Sequence, residues 1–367
     1  MPFKLVIVAG ARPNFMKVAP LIAAISGDGD IVPILIHTGQ HYDYAMSGQF
    51  FKDLGLPDPD YHLEAGTGSH AQQTSEILKR IAPVLAEEKP AGVVVVGDVN
   101  STIAAALAAS KLGIRVVHVE AGLRSFDRSM PEEINRLATD AITDFFLVTE
   151  ESGRNNLVRE GVPAERIRMI GNLMIDSLRK HLEQALRSDT RRRLIPEERY
   201  GLVTLHRPAN VDSEAQLEEI LGALTEISKT LPLYWPVHPR TRSKLAAKEF
   251  ASENIHLLDP LGYLDFLCLE AQSAVVLTDS GGIQEETTVL GVPCLTLREN
   301  TERPVTIECG TNRLAGNSKE SILKAWRESV TTPKTGQIPP YWDGDAGTRA
   351  HAALREYFLD RAVQTIP

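Results

Sequence analysis

The chain has 367 residues, 43% of them hydrophobic, and carries 39 lysine and arginine against 48 aspartate and glutamate side chains, a formal charge of −9. This length suggests two domains, each able to bury its own core, and the composition is that of an ordinary globular protein. The acidic balance argues against attraction of the whole surface to nucleic acid or anionic lipid, so any anion site has to be local.

The cysteines and the N-terminus indicate a cytoplasmic protein. Cys268, Cys294 and Cys309 have neither the spacing of a disulfide framework nor that of a zinc site. A reducing compartment is therefore expected, without a bound metal. The first apolar run is too short to span a membrane and lacks a signal-peptide cleavage site, so it is predicted to be a buried strand.

Short apolar runs, each followed by a turn and a helical stretch, predict βα units around a parallel sheet. In the first half the predicted strands are 5–9, 32–36, 93–96, 115–119 and 145–148. Their nearly continuous Val, Ile and Leu content indicates strands that are covered on both faces. A charge-rich helical stretch then follows Asn172 and extends through Arg193, and it is predicted to connect two domains.

The same alternation of apolar runs and helical stretches continues in the second half of the chain. The predicted strands there are 201–205, 233–237, 255–258, 274–278 and 294–297. A loop rich in Pro and Gly over 337–347 is predicted to precede a last helix over 348–359. The pattern thus predicts two parallel-sheet halves that face each other across a cleft.

Residues that follow the apolar runs are candidates for a site, because ligands bind beyond the carboxyl ends of strands in open α/β sheets. After the first run, Gly10-Ala11-Arg12-Pro13 opens a helix with Arg12 and Lys17 near its start. A helix N-terminus with two cations favours an anion such as phosphate. Solvated side chains at a helix start explain the pattern about equally well. The pattern is not the glycine fingerprint of a dinucleotide site.

Three carboxylates lie beyond apolar runs of the first half: Asp98, Glu120 and Glu132. Asp98 can simply cap the following helix, and Glu132, with Glu133, suits the dipole of a helix that begins at Pro131. Glu120 directly follows a very apolar run, where an unpaired buried charge is costly, so it indicates a working or salt-bridged group. Together the three can supply a general base, a general acid and a neighbour that sets their pKa values.

The second half carries two further clusters. His206 ends a predicted strand and can bind phosphate or donate a proton, although a lone histidine is more often structural. In the segment from Asp279 to Glu286, a buried strand meets a Ser-Gly-Gly turn that opens a helix. Such a turn presents backbone N–H groups to a diphosphate, and an acidic residue about one helical turn later can accept ribose hydroxyls. A plain tight turn explains the glycines but not the whole combination.

These motifs resemble the non-hydrolysing UDP-N-acetylglucosamine 2-epimerases through both halves of the chain. The most specific pieces are His118-Val119-Glu120-Ala121-Gly122-Leu123-Arg124, Pro131-Glu132-Glu133-Ile134-Asn135-Arg136 and 279–286. The resemblance implies an α/β fold of glycosyltransferase-B type, two Rossmann-like domains with the ligand in the interdomain cleft, and a homodimer. Residues 1–172 would form the N-terminal domain, with a C-terminal helix over 348–367 packing back on it. Residues 173–347 would form the connector and the UDP-binding domain.

The resemblance also implies the reaction. It is the reversible epimerisation of UDP-N-acetylglucosamine to UDP-N-acetylmannosamine at carbon 2, by elimination and re-addition of UDP through a 2-acetamidoglucal, for cell-envelope polysaccharide biosynthesis. No cofactor, metal, nucleic acid or membrane is expected to take part. A 2-epimerase of a related UDP-N-acetylated sugar, a hydrolysing epimerase and a glycosyltransferase of the same architecture remain alternatives.

By position, the resemblance implies catalytic roles for Asp98, Glu120, Glu132 and His206. It implies substrate binding by Arg12, Lys17, Arg136, Tyr263, Ser280, Gly281, Glu286 and Arg303. A second, activating UDP-sugar would contact Gln40, His41 and Arg80, although Tyr42 and Asp43 stand where members with that site carry Arg and Gln. Asn14 also departs from the family pattern, which has Glu at that position.

Overall fold

The computed structural model describes residues 2–39, 51, 53–237, 239–248, 250 and 252–360. The described residues up to Ser177 and those from Pro340 onward form one compact unit, which we call the N-terminal unit. Leu178 to Pro339 form the other, the C-terminal unit. The division follows Ser177, whereas the domain boundary expected from sequence followed Asn172.

A parallel sheet forms the centre of the N-terminal unit. Among the described residues its strands are Phe3–Ala9 (β1), Ile31–His37 (β2), Tyr61–His62 (β3), Gly92–Val96 (β4), Arg115–Val119 (β5), Phe145–Val148 (β6) and Ile167–Met169 (β7). Their order in the sheet is β3-β2-β1-β4-β5-β6-β7. The order reverses between β1 and β4, which is the point where such sheets bind ligands.

The described helices are numbered along the chain. The first six are Arg12–Ile25 (α1), His70–Glu88 (α2), Asn100–Lys111 (α3), Pro131–Ala141 (α4), Glu151–Arg159 (α5) and Leu173–Arg187 (α6), the last of which crosses the boundary between the units. The later ones are Thr190–Leu194 (α7), Pro208–Val211 (α8), Glu214–Ser228 (α9), Pro239–Ala247 (α10), Tyr263–Ala271 (α11), Gly281–Leu290 (α12), Pro304–Glu308 (α13), Lys319–Thr331 (α14) and Ala346–Arg355 (α15). Ala164–Arg166 is a 3₁₀ turn and Glu356–Asp360 a π-helical turn.

Both faces of the first sheet are covered, as the apolar runs predict. Val6 and Val93 belong to a core cluster on one face. Their neighbours Leu5, Ile7 and Val94 point the opposite way and are equally inaccessible to solvent. This double burial is why the strand sequences show no polar alternation.

The chain returns to the N-terminal unit after Pro340. α15 packs against α1, and the Asp176 carboxylate accepts hydrogen bonds from the backbone N–H groups of Ala346 and Gly347 at 3.1 and 2.7 Å. A Cβ on Gly347 would lie 2.8 Å from the Pro20 carbonyl oxygen, so this close approach requires glycine. The helix thus begins at Ala346, and residues 361–367 lie outside the described part of the chain.

The C-terminal unit repeats the architecture. Its described strands are Gly201–Thr204 (β8), Leu233–Pro236 (β9), Ile255–Leu258 (β10), Val275–Thr278 (β11), Cys294–Thr296 (β12) and Asn312–Leu314 (β13). They pair in parallel in the order β10-β9-β8-β11-β12-β13, which reverses between β8 and β11. The predicted α/β class with two parallel sheets is confirmed.

Three strands were not predicted from the sequence: β3, β7 and β13. Each has two or three residues and lies at an edge of its sheet. An edge strand has a pairing partner on one side only, so it lacks the long apolar run on which the prediction relied. No helix in the described part of the chain has the length and apolar content needed to cross a membrane.

Candidate active site

The turn after β1 is held by Asn14, the residue that departs from the family pattern. Its side-chain oxygen accepts hydrogen bonds from the backbone N–H groups of Gly10 and Ala11 at 3.3 and 3.1 Å, and its amide donates to the Val96 carbonyl at 3.0 Å. Asn14 therefore joins the start of α1 to the end of β4. Arg12 is the first residue of α1, and its side chain lies outside the described part of the structure.

Lys17 and Glu120 form a buried ion pair. The ammonium of Lys17 contacts the Glu120 carboxylate directly, and the two residues are 7% and 5% exposed. Glu120 adopts a left-handed backbone with φ of 69°, which is uncommon outside glycine and is typical of residues held in place for function. Its backbone N–H donates to the Leu147 carbonyl at 2.9 Å. The cation that the position of Glu120 required is therefore Lys17.

Asp98 lies against a second buried cation. An Arg136 nitrogen is 2.5 Å from the Asp98 carboxylate, and another is 2.6 Å from Glu133. Glu133 also accepts hydrogen bonds from the backbone N–H groups of Ser125 and Phe126 at 2.9 and 3.0 Å. Burial alone raises the pKa of the Glu133 carboxyl, but the hydrogen bonds from Ser125 and Arg136 outweigh it and lower that pKa. Arg136 thus lies between a fixed anion and the partly exposed Asp98.

The two acid–cation pairs are neighbours. The ends of β4 and β5 are in register, with Val96 opposite Val119. A Cβ on Gly97, the residue before Asp98, would lie 3.6 Å from the Glu120 carboxylate and 3.8 Å from the Lys17 ammonium. The turn that carries Asp98 therefore lies directly beside the Lys17–Glu120 pair.

Glu132 and Glu133 have different surroundings in the first turn of α4. Glu132 is half-buried, whereas Glu133 is 1% exposed and bound to Arg136. Sequence reasoning assigned a role to Glu132 and missed Glu133. The three-residue spacing of Glu133 and Arg136, which places both on one helix face, is the pattern that would have found it.

In the C-terminal unit, His206 is oriented by Asp279. Its Nδ1 lies 2.8 Å from the Asp279 carboxylate, which is fully buried, while the imidazole is 58% exposed. Asp279 also accepts hydrogen bonds from the Arg207 backbone and the Asn210 amide. Burial raises the pKa of Asp279, but the charge and hydrogen bond of His206 outweigh it and lower that pKa. An ionised Asp279 keeps a proton on Nδ1 and leaves Nε2 to face outward, ready to move a proton or bind an anion. Asp279 was not among the site residues predicted from the sequence.

The Ser280–Gly281 turn begins α12 beside a fixed guanidinium. A Cβ on Gly281 would lie 2.7 Å from an Arg303 nitrogen and 2.8 Å from a Glu302 oxygen, so a larger residue would have to displace these side chains. Arg303 is held by Glu285 and Glu302, each at 2.6 Å. The helix N-terminus and the guanidinium together favour an anion at this turn.

Two more guanidinium groups share the Glu302 carboxylate. Nitrogens of Arg298 and Arg207 lie 2.7 and 3.6 Å from it. Burial alone raises the pKa of Glu302, but the charges of Arg303 and Arg298 hold it well below its usual range. Three cations around two carboxylates, Glu285 and Glu302, leave the cluster with net positive charge.

Glu286 lies in a buried group of acids. The Tyr263 hydroxyl donates to its carboxylate at 3.1 Å, and burial raises the pKa of Glu286 to about 7. Glu270, fully inaccessible to solvent, lies against it, and burial together with the charge of Glu286 raises the pKa of Glu270 well above its usual range. Tyr263 and Glu286, both of which the resemblance implies as substrate-binding residues, are thus in direct contact.

The two units hold different groups of predicted residues. Lys17, Asp98, Glu120 and Arg136 lie together in the N-terminal unit, and His206, Ser280, Gly281 and Arg303 lie around the ends of β8 and β11 and the arginine cluster of the C-terminal unit. The predicted site for a second, activating UDP-sugar is described only in part. Its residues Gln40 and His41 lie outside the described residues. Arg80 donates to the Leu63 carbonyl at 2.8 Å and lines an open cavity of about 470 Å³.

Comparison with known proteins gives a consistent result. The family model described as UDP-N-acetylglucosamine 2-epimerase matches residues 23–355. The UDP-N-acetylglucosamine 2-epimerase of Methanocaldococcus jannaschii is 43% identical in an alignment 359 residues long that covers 94% of this chain and 97% of the relative. The crystal structure of the Methanocaldococcus jannaschii protein in complex with UDP-GlcNAc and UDP has a TM-score of 0.89 at 42% identity, covering 96% of this chain and 99% of that one.

A relative named for a different sugar is almost as similar. The UDP-2,3-diacetamido-2,3-dideoxy-D-glucuronate 2-epimerase of Pseudomonas aeruginosa is 41% identical in an alignment 351 residues long that covers 94% of this chain and 98% of the relative. The two identities differ too little to distinguish between the two sugars. Both relatives are 2-epimerases of UDP sugars that carry a 2-acetamido group.

Proposed function

The chain belongs to the UDP-N-acetylglucosamine 2-epimerase family, and on that premise we propose that it interconverts UDP-N-acetylglucosamine and UDP-N-acetylmannosamine. The observation that carries the proposal is the pair of neighbouring carboxylates, Asp98 and Glu120, each with its own buried cation. Inversion at carbon 2 needs such a pair, because a proton removed from one face of the sugar has to return to the other.

In the proposed reaction one carboxylate takes the proton from carbon 2 while the bond between carbon 1 and the UDP oxygen breaks. The electron pair of the C–H bond becomes the double bond of the 2-acetamidoglucal, and UDP leaves as an anion. In the return step the second carboxyl group, carrying a proton taken up from solvent, protonates carbon 2 from the opposite face while UDP re-adds at carbon 1. The first carboxyl group then releases its proton to solvent. Lys17 and Arg136 place a positive charge directly beside Glu120 and Asp98.

The C-terminal unit is proposed to bind the leaving group. Backbone N–H groups at Ser280 and Gly281, with Arg303, would stabilise the negative charge that develops on the diphosphate. His206, oriented by Asp279, would provide a proton or a positive charge there. An ionised Glu286 would accept the ribose hydroxyls.

Deuterium exchange tests the proposal. The protein is incubated with UDP-N-acetylglucosamine in D₂O, and deuterium at carbon 2 together with the mannosamine epimer is expected. The alternatives give other products: a hydrolysing epimerase releases free UDP and N-acetylmannosamine, and a glycosyltransferase needs an acceptor and tolerates Asp98→Asn. Absence of exchange with every UDP-2-acetamido sugar tried would refute the proposal.

A second substrate deserves the same assay. The Pseudomonas aeruginosa relative is named for UDP-2,3-diacetamido-2,3-dideoxy-D-glucuronate, so this sugar is compared with UDP-N-acetylglucosamine by kcat/KM. We also propose that the protein is a cytoplasmic homodimer, as the resemblance implies. Light scattering on the purified protein tests the dimer, and fractionation of the source cells tests the location.

A further inference from the structure

A buried histidine that the proposed reaction does not use lies between the two turns that carry the acids. His118 is on β5, two residues before Glu120, and is fully inaccessible to solvent. Its Nδ1 lies 2.6 Å from the Asp140 carboxylate and its Nε2 lies 2.8 Å from the Gly97 carbonyl oxygen. Both ring nitrogens therefore face oxygen atoms.

The partners of His118 determine its protonation. The Gly97 carbonyl can only accept, so Nε2 carries a hydrogen. Asp140 also accepts hydrogen bonds from the Gly122 backbone at 3.1 Å and contacts Arg124 at 2.7 Å. Burial raises the pKa of Asp140, but His118 and Arg124 outweigh it and lower that pKa. An ionised Asp140 is an acceptor toward Nδ1 as well, so both nitrogens donate and the ring is an imidazolium.

The charge of this imidazolium is balanced locally. Arg124 forms two hydrogen bonds to Glu160, at 2.8 and 2.6 Å. His118 and Arg124 are thus two cations, and Asp140 and Glu160 are two anions. A buried charge needs such compensation to be stable, and here the network ends at Glu160, whose side chain is 38% exposed.

The network contacts both acid-bearing turns. The Gly97 N–H donates to the Val119 carbonyl at 3.0 Å, while its carbonyl accepts from His118. Gly97 has φ of 68°, a conformation that favours glycine, and Asp98 follows it. Asp140 holds the Gly122 N–H, two residues after Glu120. One ring and one carboxylate therefore hold the backbone next to both acids.

We propose that His118 is a positioning residue, an imidazolium that fixes the turn of Asp98 relative to the turn of Glu120. The inference rests on the proposed function for its catalytic consequence, although the charge of the ring can be tested without it. A displacement of a reacting group by about 1 Å can lower a rate roughly 100-fold. The loss of either hydrogen bond of the ring is expected to act on kcat in this way.

Two substitutions separate the two hydrogen bonds. In His118→Asn the shorter amide can still donate to Asp140 but does not reach the Gly97 carbonyl, and in His118→Gln the amide takes the place of Nε2 instead. We expect kcat to fall about 10- to 100-fold in both, with KM and UDP affinity within about twofold because the proposed UDP ligands lie in the C-terminal unit. His351→Gln is the matched control, since His351 contacts Asp28 in the same unit, and its kcat should equal that of the unmodified protein.

The ring is observed directly by NMR of protein labelled with ¹⁵N-histidine, with the His118 signals assigned by their loss in His118→Asn. Both ring nitrogens are expected to carry a proton, one in the hydrogen bond to Asp140 and the other in the hydrogen bond to the Gly97 carbonyl. A ring with a proton on only one nitrogen would overturn the assignment whatever the activity. Unchanged kcat in both folded variants would overturn the positioning role.

Two further results keep the proposals distinguishable. An unmodified protein that is inactive on all UDP sugars would refute the proposed function, and the NMR spectrum would still decide the charge of the ring. Should the His118 variants not fold, Asp140→Asn replaces them, because it removes the charge that holds the second ring proton. It is expected to neutralise the ring and lower kcat together, and a protonated ring with unchanged kcat in this variant would overturn the proposal.

Discussion

The Lys17–Glu120 pair gives the sharpest test of the site's electrostatics. Lys17→Met removes the ammonium and keeps most of the aliphatic volume, so a carboxylate that is 5% exposed is left facing the turn at Gly97. The ammonium that contacts the acid is lost while the burial of the acid is unchanged. The substitution therefore measures what this buried cation contributes to stability.

The magnitude follows from the burial of both partners. Breaking a buried ion pair by removing one member typically costs about 3–5 kcal/mol, and exposed pairs contribute only about 0–1 kcal/mol. Lys17 and Glu120 are 7% and 5% exposed, so the cost expected for a buried pair, about 3–5 kcal/mol, applies. The pair Lys4–Glu88, with its lysine side chain 48% exposed, provides the matched control in the same unit. Lys4→Met should cost no more than about 1 kcal/mol.

The assay is urea-induced unfolding at pH 8, with Lys17→Met compared with Lys17→Met/Glu120→Gln. The single variant should lose about 3–5 kcal/mol of unfolding free energy. The double variant should regain most of that stability, because its neutral amide needs no cation.

Two results would refute this reasoning. A loss below about 1 kcal/mol for Lys17→Met at pH 8 would show that solvent or another group compensates Glu120. An equal loss in the single and double variants would show that the effect comes from packing rather than charge. In either case Lys17 would not be the group that compensates the charge of Glu120.

Three further predictions concern the C-terminal unit. Gly281→Ala should lower UDP affinity at least about 10-fold, measured by calorimetry. The added Cβ would lie 2.7 Å from a nitrogen of Arg303, a proposed phosphate ligand, and would displace that side chain. Unchanged affinity would show that Arg303 moves without cost. Burial raises the pKa of Glu286 from 4.5 to about 7, so the folded protein holds a proton that the unfolded chain has released, and stability should fall as pH rises from about 4.5 to about 7. Glu286→Gln should reduce that slope in thermal unfolding, and an identical slope would assign the effect elsewhere. Asp279→Asn should lower kcat by about 100-fold or more because it disturbs the tautomer of His206, while a variant with unchanged kcat would leave His206 without a need for this carboxylate.

The sequence by itself determined the fold class and the places where chemistry occurs. Strands such as 93–96 are continuous apolar runs because both faces of a parallel sheet are buried, and that requirement is visible without coordinates. The short edge strands were not visible, because pairing on one side leaves no comparable pattern. The acids and glycine turns could be located because parallel strands end at one edge of their sheet.

Only the tertiary structure decided the partner of each charged group. Glu120 needed a cation, but its sequence neighbourhood could not show that Lys17, 103 residues away, supplies it. The phase of one helix buries Glu133 rather than Glu132, although both occupy the same first turn. His118, which looked like one residue of an apolar strand, acquires both its partners from the register of β4 with β5 and from α4. These pairings depend on which side chains come within a few ångströms of each other after the sheet and helices have packed. A local pattern of residues does not contain that information.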